Sequence, residues 1–149
     1  MLSIKKILCP VDFSKPSLVG LDYAFELASL FQAELAVSYV LPVLPPRPTD
    51  PNISFHVPEY EQILHKEAEE ELQRLVAARA PKGLKICTQI EHGNPAKEIV
   101  RVAKEAKMDL IVMSTQGHSG WLDFVVGSVA DKVLRSAPCP VFAVPKTRK

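Results

Sequence analysis

The sequence predicts an α/β protein, a doubly wound, Rossmann-like parallel sheet of five strands with helices on both faces. Three observations carry this. Short apolar runs alternate with longer stretches of helical periodicity, the pattern of successive βαβ units. The runs are strand-length, about four to eight residues, and most end at Pro, Gly or a short polar loop. Right-handed crossovers between parallel strands then wind the helices onto both sides of the sheet. The chain has 149 residues and shows no internal repeat, so residues 1–149 are read as one domain.

Ile4 to Cys9 is the first strand, closed by Pro10. Ser14 can cap a helix and Pro16 is tolerated in its first turn; Leu18, Leu21, Phe25 and Ala28 then recur at helical spacing to about Phe31. Leu35 to Leu41 is the second strand. Six of the 13 prolines fall between Pro42 and Pro58, where fixed φ and missing donors dictate a loop. Such a loop, on the ligand side of the sheet, is expected to be a semi-rigid flap. A long helix from Glu59 to Ala80 follows, with Ile63, Leu64, Ala68, Leu72, Leu75 and Val76 on its apolar side and glutamates at its start. Leu84 to Ile90 is the third strand, and Asn94-Pro95 opens a helix carrying Ile99, Val102, Ala103 and Ala106. Asp109 to Met113 is the fourth strand. A Gly-containing loop leads to a helix with Val125, Val129, Val133 and Leu134, and Val141 to Val144 is the last strand.

Composition narrows the function. The chain is 47% hydrophobic and 23% charged, with a net charge of +1. This excludes a disordered chain and gives no support to a basic nucleic-acid binder. No run approaches the roughly 18 apolar residues of a membrane span, and Ile4-Lys5-Lys6-Ile7-Leu8 is too short for a secretory signal. The three cysteines, Cys9, Cys87 and Cys139, are odd in number and widely spaced, which fits a reducing cytoplasm. All three are read as small buried hydrophobes. His92 is read as a solvated turn residue, and His56 and His65 as having no partner at metal-ligand spacing, so no metal site is assigned. Trp121 is read as a packing or partner-surface residue, Glu67, Glu69, Glu70 and Glu71 as a solvated helix face, and Lys146, Arg148 and Lys149 as a frayed tail.

In an open α/β sheet, ligands bind beyond the carboxyl ends of the strands. The richest loop there runs from Ser114 to Ser128. Gly117 and Gly120 allow close backbone approach, and Gly127-Ser128 lies near a helix start whose free N–H groups can hold an anion. These residues alone leave two readings open, a phosphate loop or plain turns. Neither G-x-x-x-x-G-K-[ST] nor a first-strand G-x-G-x-x-G is present, so P-loop phosphoryl transfer is unsupported.

The chain resembles the universal stress protein family. Gly117 and Gly127-Ser128, with nine residues between, match part of a signature of Gly, two residues, Gly, nine residues, Gly-Ser or Gly-Thr. Val11-Asp12-Phe13-Ser14, Gly93-Asn94-Pro95 with Glu98-Ile99, Asp109 to Met113, and Ala137-Pro138-Cys139-Pro140-Val141 resemble other family segments, so the likeness covers nearly the whole chain. The signature's first Gly falls on Ser114. A positive φ there would strain Ser; a need for close approach only would leave its hydroxyl free to meet ribose or phosphate.

The resemblance implies that the chain binds ATP or another adenine nucleotide. Asp12, with Pro10 and Val11 of its loop, matches the adenosine side, and Val40 the residue whose backbone meets the adenine edge. Met113 and Ser114 match the pair beside the ribose. Gly117, Gly127 and Ser128, with Val129 next to them, match the phosphate-holding positions, and His118, Ser119 and Gly120 lie in the stretch that wraps the phosphates. His118 itself is read as facing water rather than phosphate. A Mg2+ or Mn2+ ion bridging phosphates is compatible with this, although no carboxylate cage is present. The last strand, short, apolar and expected at a sheet edge, predicts a homodimer through Val141–Val144, as in the family. The expected role is a dimeric, cytoplasmic sensor or regulator in the stress response. The alternatives are a slow ATP hydrolase, for which no general base is found and no catalytic residue is assigned, and a dimeric adaptor that has lost nucleotide binding, motivated by Ser114. No membrane or nucleic-acid partner is expected.

Overall fold

Strands that are apolar on both faces need cover on both sides. The computed structural model describes residues 2–43, 57–117 and 126–146. Among these, the elements run β1 (Lys6–Pro10), α1 (Lys15–Phe31), β2 (Glu34–Leu41), α2 (Val57–Arg79), β3 (Ile86–His92), α3 (Pro95–Glu105), β4 (Leu110–Ser114), α4 (Ser128–Ser136) and β5 (Val141–Val144). All strand pairs are parallel, in the order β3-β2-β1-β4-β5. This is the predicted five-stranded α/β sheet.

Alternation along the strands separates two cores. Ile7 and Cys9 of β1 and Leu110 and Val112 of β4 join Leu21, Phe25 and Leu72, on the side of α1 and α2. Leu8 of β1 and Ile111 and Met113 of β4 join Ile99, Val102 and Val133, on the side of α3 and α4. Two helix starts form as expected. Ser14 Oγ accepts from Ser17 N at 3.3 Å at the head of α1, and Asn94 Oδ1 accepts from Lys97 N at 3.1 Å at the head of α3.

Several boundaries differ from the sequence reading. The first strand is Lys6–Pro10, not Ile4 to Cys9, and the third is Ile86–His92, not Leu84 to Ile90, because pairing with β2 sets their limits (Lys6↔Glu34 and Leu41↔His92). Asp109 precedes β4 instead of opening it. Its Oδ2 accepts from the backbone N–H groups of Lys5 and Lys6, both at 2.9 Å, and fastens the start of β4 to that of β1. The proline-rich loop ends earlier than Pro58, since α2 begins at Val57 and proline is tolerated in a first helical turn. Residues 44–56, including His56, lie outside the described residues, as do Trp121, Val125, Arg148 and Lys149.

Some buried-face assignments are also corrected. Ile63 is exposed, because it lies about 100° around the helix from Leu64 and off the Ala68–Leu72–Val76 stripe. Leu134 is exposed on α4, where Ala130 and Val133 face the core. Cys87 is exposed rather than buried, because β3 is an edge strand. Cys9 is fully buried, and burial pushes its thiol far above the usual range. Cys139 is half-buried against the α3/α4 core, and burial, then nearby Asp109, pushes its thiol up. Since the thiolate is the nucleophile, a disulfide reagent at mildly alkaline pH should modify Cys87 promptly, Cys139 slowly and Cys9 only after unfolding. Peptide mass analysis reads this order, and prompt modification of Cys9 would contradict its place in the core.

Candidate functional site

The chain turns from β1 outward to β2 and β3, then returns to place β4 on the other side of β1. The crevice beyond β1 and β4 is the topological switch point, where open α/β sheets bind ligands. A cleft of about 240 Å³ lies there.

One wall is the loop after β1. Asp12 Oδ1 accepts from Ser14 N at 3.0 Å and from the Ser14 hydroxyl, while Asp12 N donates to Ser17 Oγ at 3.3 Å. The α1 cap thus holds the carboxylate in place. Phe13 sits at φ 63°, a left-handed conformation that costs a bulky L-residue about 1–3 kcal/mol. Its ring packs against Tyr39 at 4.9 Å between centroids. Tyr39 lines the cleft, and its phenol is pushed up by burial, then by Glu71 and Asp12.

The other wall is the end of β4 and the start of α4. Thr115 N donates to Val144 O at 2.9 Å, which ties the end of β4 to β5, and Gly127 N donates to Thr115 O at 2.6 Å, which ties it to the head of α4. A Cβ at Gly127 would stand 3.1 Å from Thr115 O, and one at Gly117 would collide with Asp12 Oδ2. Both glycines are there for close approach. Gly127 caps α4 without a side-chain hydrogen bond, so the first N–H groups of this helix keep no side-chain cap at the edge of the cleft. Helix N-termini of this kind attract anions.

Ten of the predicted residues line this one cleft, namely Pro10, Val11, Asp12, Val40, Met113, Ser114, Gly117, Gly127, Ser128 and Val129. His118, Ser119 and Gly120 lie outside the described residues. Ser114 is the last residue of β4 and has no positive φ, so the feared strain is absent. Its hydroxyl donates to Gln116 O at 2.6 Å and closes the turn after the strand. Sequence reasoning missed Ser17, Tyr39, Pro95, Ile99, Thr115, Gln116 and Ala130. Tyr39 and Ile99 read as core, while Pro95 read as a helix start. Gly20 was also unassigned. Its missing Cβ lets α1 approach Ser114 N, which a methyl would meet at 3.1 Å.

Chemically, the described lining contains no Lys or Arg and one carboxylate, Asp12. An anion here would rest on backbone N–H groups and hydroxyls, and a planar apolar group on Val40, Ile99 and Met113. Among the described residues, no group of three or more His, Cys, Asp or Glu could hold a metal ion.

Comparison with protein families matches residues 3–145 to the universal stress protein family. The chain belongs to that family. It is similar to a universal stress protein of Methanocaldococcus jannaschii, 37% identical over 145 residues that cover 97% of this chain and 84% of the relative. The solved structure of a second universal stress protein of that organism superposes with a TM-score of 0.80 at 25% identity, covering 99% of each chain. A universal stress protein from Archaeoglobus fulgidus, solved in complex with dAMP, superposes with a TM-score of 0.65 at 26% identity, covering 96% of this chain and 98% of that one. The family membership and the α/β architecture are therefore as the sequence predicted.

Proposed function

We propose that this universal stress protein binds an adenine nucleotide, ATP or AMP, in the cleft between β1 and β4. The observation that carries this reading is the α4 N-terminus, capped only by Gly127, facing Asp12 across an apolar-walled crevice. The dAMP complex of the Archaeoglobus fulgidus relative supports it. In this reading Asp12 receives the adenosine side, the backbone of Val40 the edge of the base, Met113 and Ser114 the ribose, and Gly117, Gly127 and Ser128 the phosphates. A Mg2+ or Mn2+ ion would arrive with the phosphates, which supply most of its ligands. Calorimetry on nucleotide-stripped protein with ATP and AMP tests this. Saturable binding is expected, and none at millimolar nucleotide would overturn it.

The protein is further proposed to act as a cytoplasmic, dimeric sensor or regulator of the stress response. No helix among the described residues is long and apolar enough to cross a membrane. β5 is an edge strand, and Phe142 on it is 40% exposed, with its ring 6.0 Å from that of exposed Tyr23. An apolar edge of this kind invites pairing with a second copy. Phe142→Asp should leave a folded monomer in sedimentation, since a charge at the centre of the edge cannot be buried without a partner. A variant that sediments as the wild-type dimer would place the interface elsewhere.

A further inference from the structure

The sequence reading gave His65 no partner and His92 only solvent, yet the fold brings them together. His65 stands on α2 and His92 is the last residue of β3. His65 Nδ1 and His92 Nε2 are 2.7 Å apart, with ring planes within 6° and centroids 5.0 Å apart. That centroid separation exceeds the nitrogen gap by about one ring width, so the rings meet edge to edge, nitrogen against nitrogen.

The gap suits a proton and no metal. Two imidazoles on one zinc-like ion, each about 2.0–2.1 Å from it, would hold their nitrogens well beyond 2.7 Å apart. A neutral imidazole has one donor and one acceptor nitrogen. Two neutral rings, or one neutral and one charged ring, therefore place a single proton between the facing atoms. Two charged rings set N–H against N–H and positive charge against positive charge, and the bond is lost. Imidazoles change charge in the physiological range.

The pair sits at a useful place. Immediately after His92, Gly93 takes φ 133° and its N–H donates to Leu41 O at 3.0 Å. Asn94 then caps α3, which brings Pro95 and Ile99 to the cleft. The charged residues within four positions of His65 on α2 are Glu61, Lys66, Glu67 and Glu69; those nearest His92 in the chain are Glu91 on β3 and Lys97, Glu98 and Arg101 on α3. Glu91 and Glu98 are each engaged by Arg101 at 2.7 Å, and β2 ends opposite His92 in uncharged Leu41.

We propose that His65 and His92 form a proton-sensitive latch that fastens α2 to the end of β3 beside the cleft, closed at neutral pH and opened when acid charges both rings. The latch stands independently of what the cleft binds. Hydrogen exchange of the full chain at pH 7.5 and pH 5, corrected for the intrinsic pH dependence of exchange, tests it. In the wild type, protection of α2 near residue 65 and of residues 91–94 should fall about fivefold on acidification, the scale of one lost hydrogen bond. His92→Ala should show the low protection at both pH values. His92→Gln keeps an acceptor near the Nε2 position that meets a charged or neutral His65, so its protection should no longer fall in acid. A wild type indifferent to pH, or the same acid-dependent fall in His92→Ala, would overturn the latch.

Discussion

Gly127→Val is expected to weaken adenine-nucleotide binding by about ten- to a hundredfold while leaving the fold intact. The backbone at Gly127, φ −59° and ψ 155°, is open to any L-residue, so the substitution itself is not strained. The obstacle is steric. A Cβ would meet Thr115 O at 3.1 Å, and the two branches of valine add to the crowding at the end of the cleft proposed to receive the phosphates. Relief requires the end of β4 and the start of α4 to part, which weakens the 2.6 Å bond from Gly127 N to Thr115 O. The first N–H groups of α4 then move away from Gly117 and Ser114, with which they share the cleft. A phosphate held by one or two charge-assisted hydrogen bonds loses about 1.5–3 kcal/mol for each one broken. Calorimetry with ATP measures the affinity, and circular dichroism checks the fold. Wild-type affinity in a folded Gly127→Val protein would remove the phosphates from this end of the cleft. Gly127→Ala, with the smallest side chain, should fall between.

Ile111→Ala should produce the larger effect on stability. Ile111 is fully buried as the second residue of β4, paired with Leu8 of β1 on one side and Val141 of β5 on the other. It belongs to the core that also holds Ile99 and Met113, which line the cleft. Truncation removes apolar burial and leaves a cavity that strands on both sides prevent from collapsing. The cost is about 2–5 kcal/mol. For a chain of this size that lowers the midpoint of thermal unfolding by about 10 °C. A shift of less than about 2 °C in calorimetric unfolding would show that β4 is not central to the core. Nucleotide affinity should fall modestly as well, because the cavity opens in the core that Met113 and Ile99 share with Ile111.

Much of this molecule is legible in its sequence because local rules and global topology agree. The alternation of strand-length apolar runs with helical stretches admits few architectures. Ser14 and Asn94 announce helix starts through an oxygen that can reach a backbone N–H, and both do so at hydrogen-bonding distance. Pro10, Met113 and Ser114 end strands, Asp12 follows one, and Gly127 and Ser128 begin the helix after the fourth, while a parallel sheet collects its carboxyl strand ends on one side. That they line one cleft is therefore a consequence of topology read together with the family resemblance.

What escaped the sequence depends on which element neighbours which. Cys87 looks like the other cysteines until β3 is found at an edge. Asp109 looks like part of a strand until its carboxylate is seen to bind the N–H groups of Lys5 and Lys6, more than a hundred residues away. Tyr39 and Ile99 carry an apolar signature that serves a core and a ligand wall equally well. Gly20 has no local signature at all, since its role is the absence of a methyl against Ser114.

The sequence by itself determined the class of fold, the caps at Ser14 and Asn94 and the spacing of Gly117 and Gly127, because each follows from residue chemistry acting over a few neighbours. Only the tertiary structure decided the full strand order, the edge position of β3, the closeness of Gly117 to Asp12 and the meeting of His65 with His92. These are contacts between elements distant in sequence, set by the packing of helices on a twisted sheet, and no local pattern of residues encodes their distances.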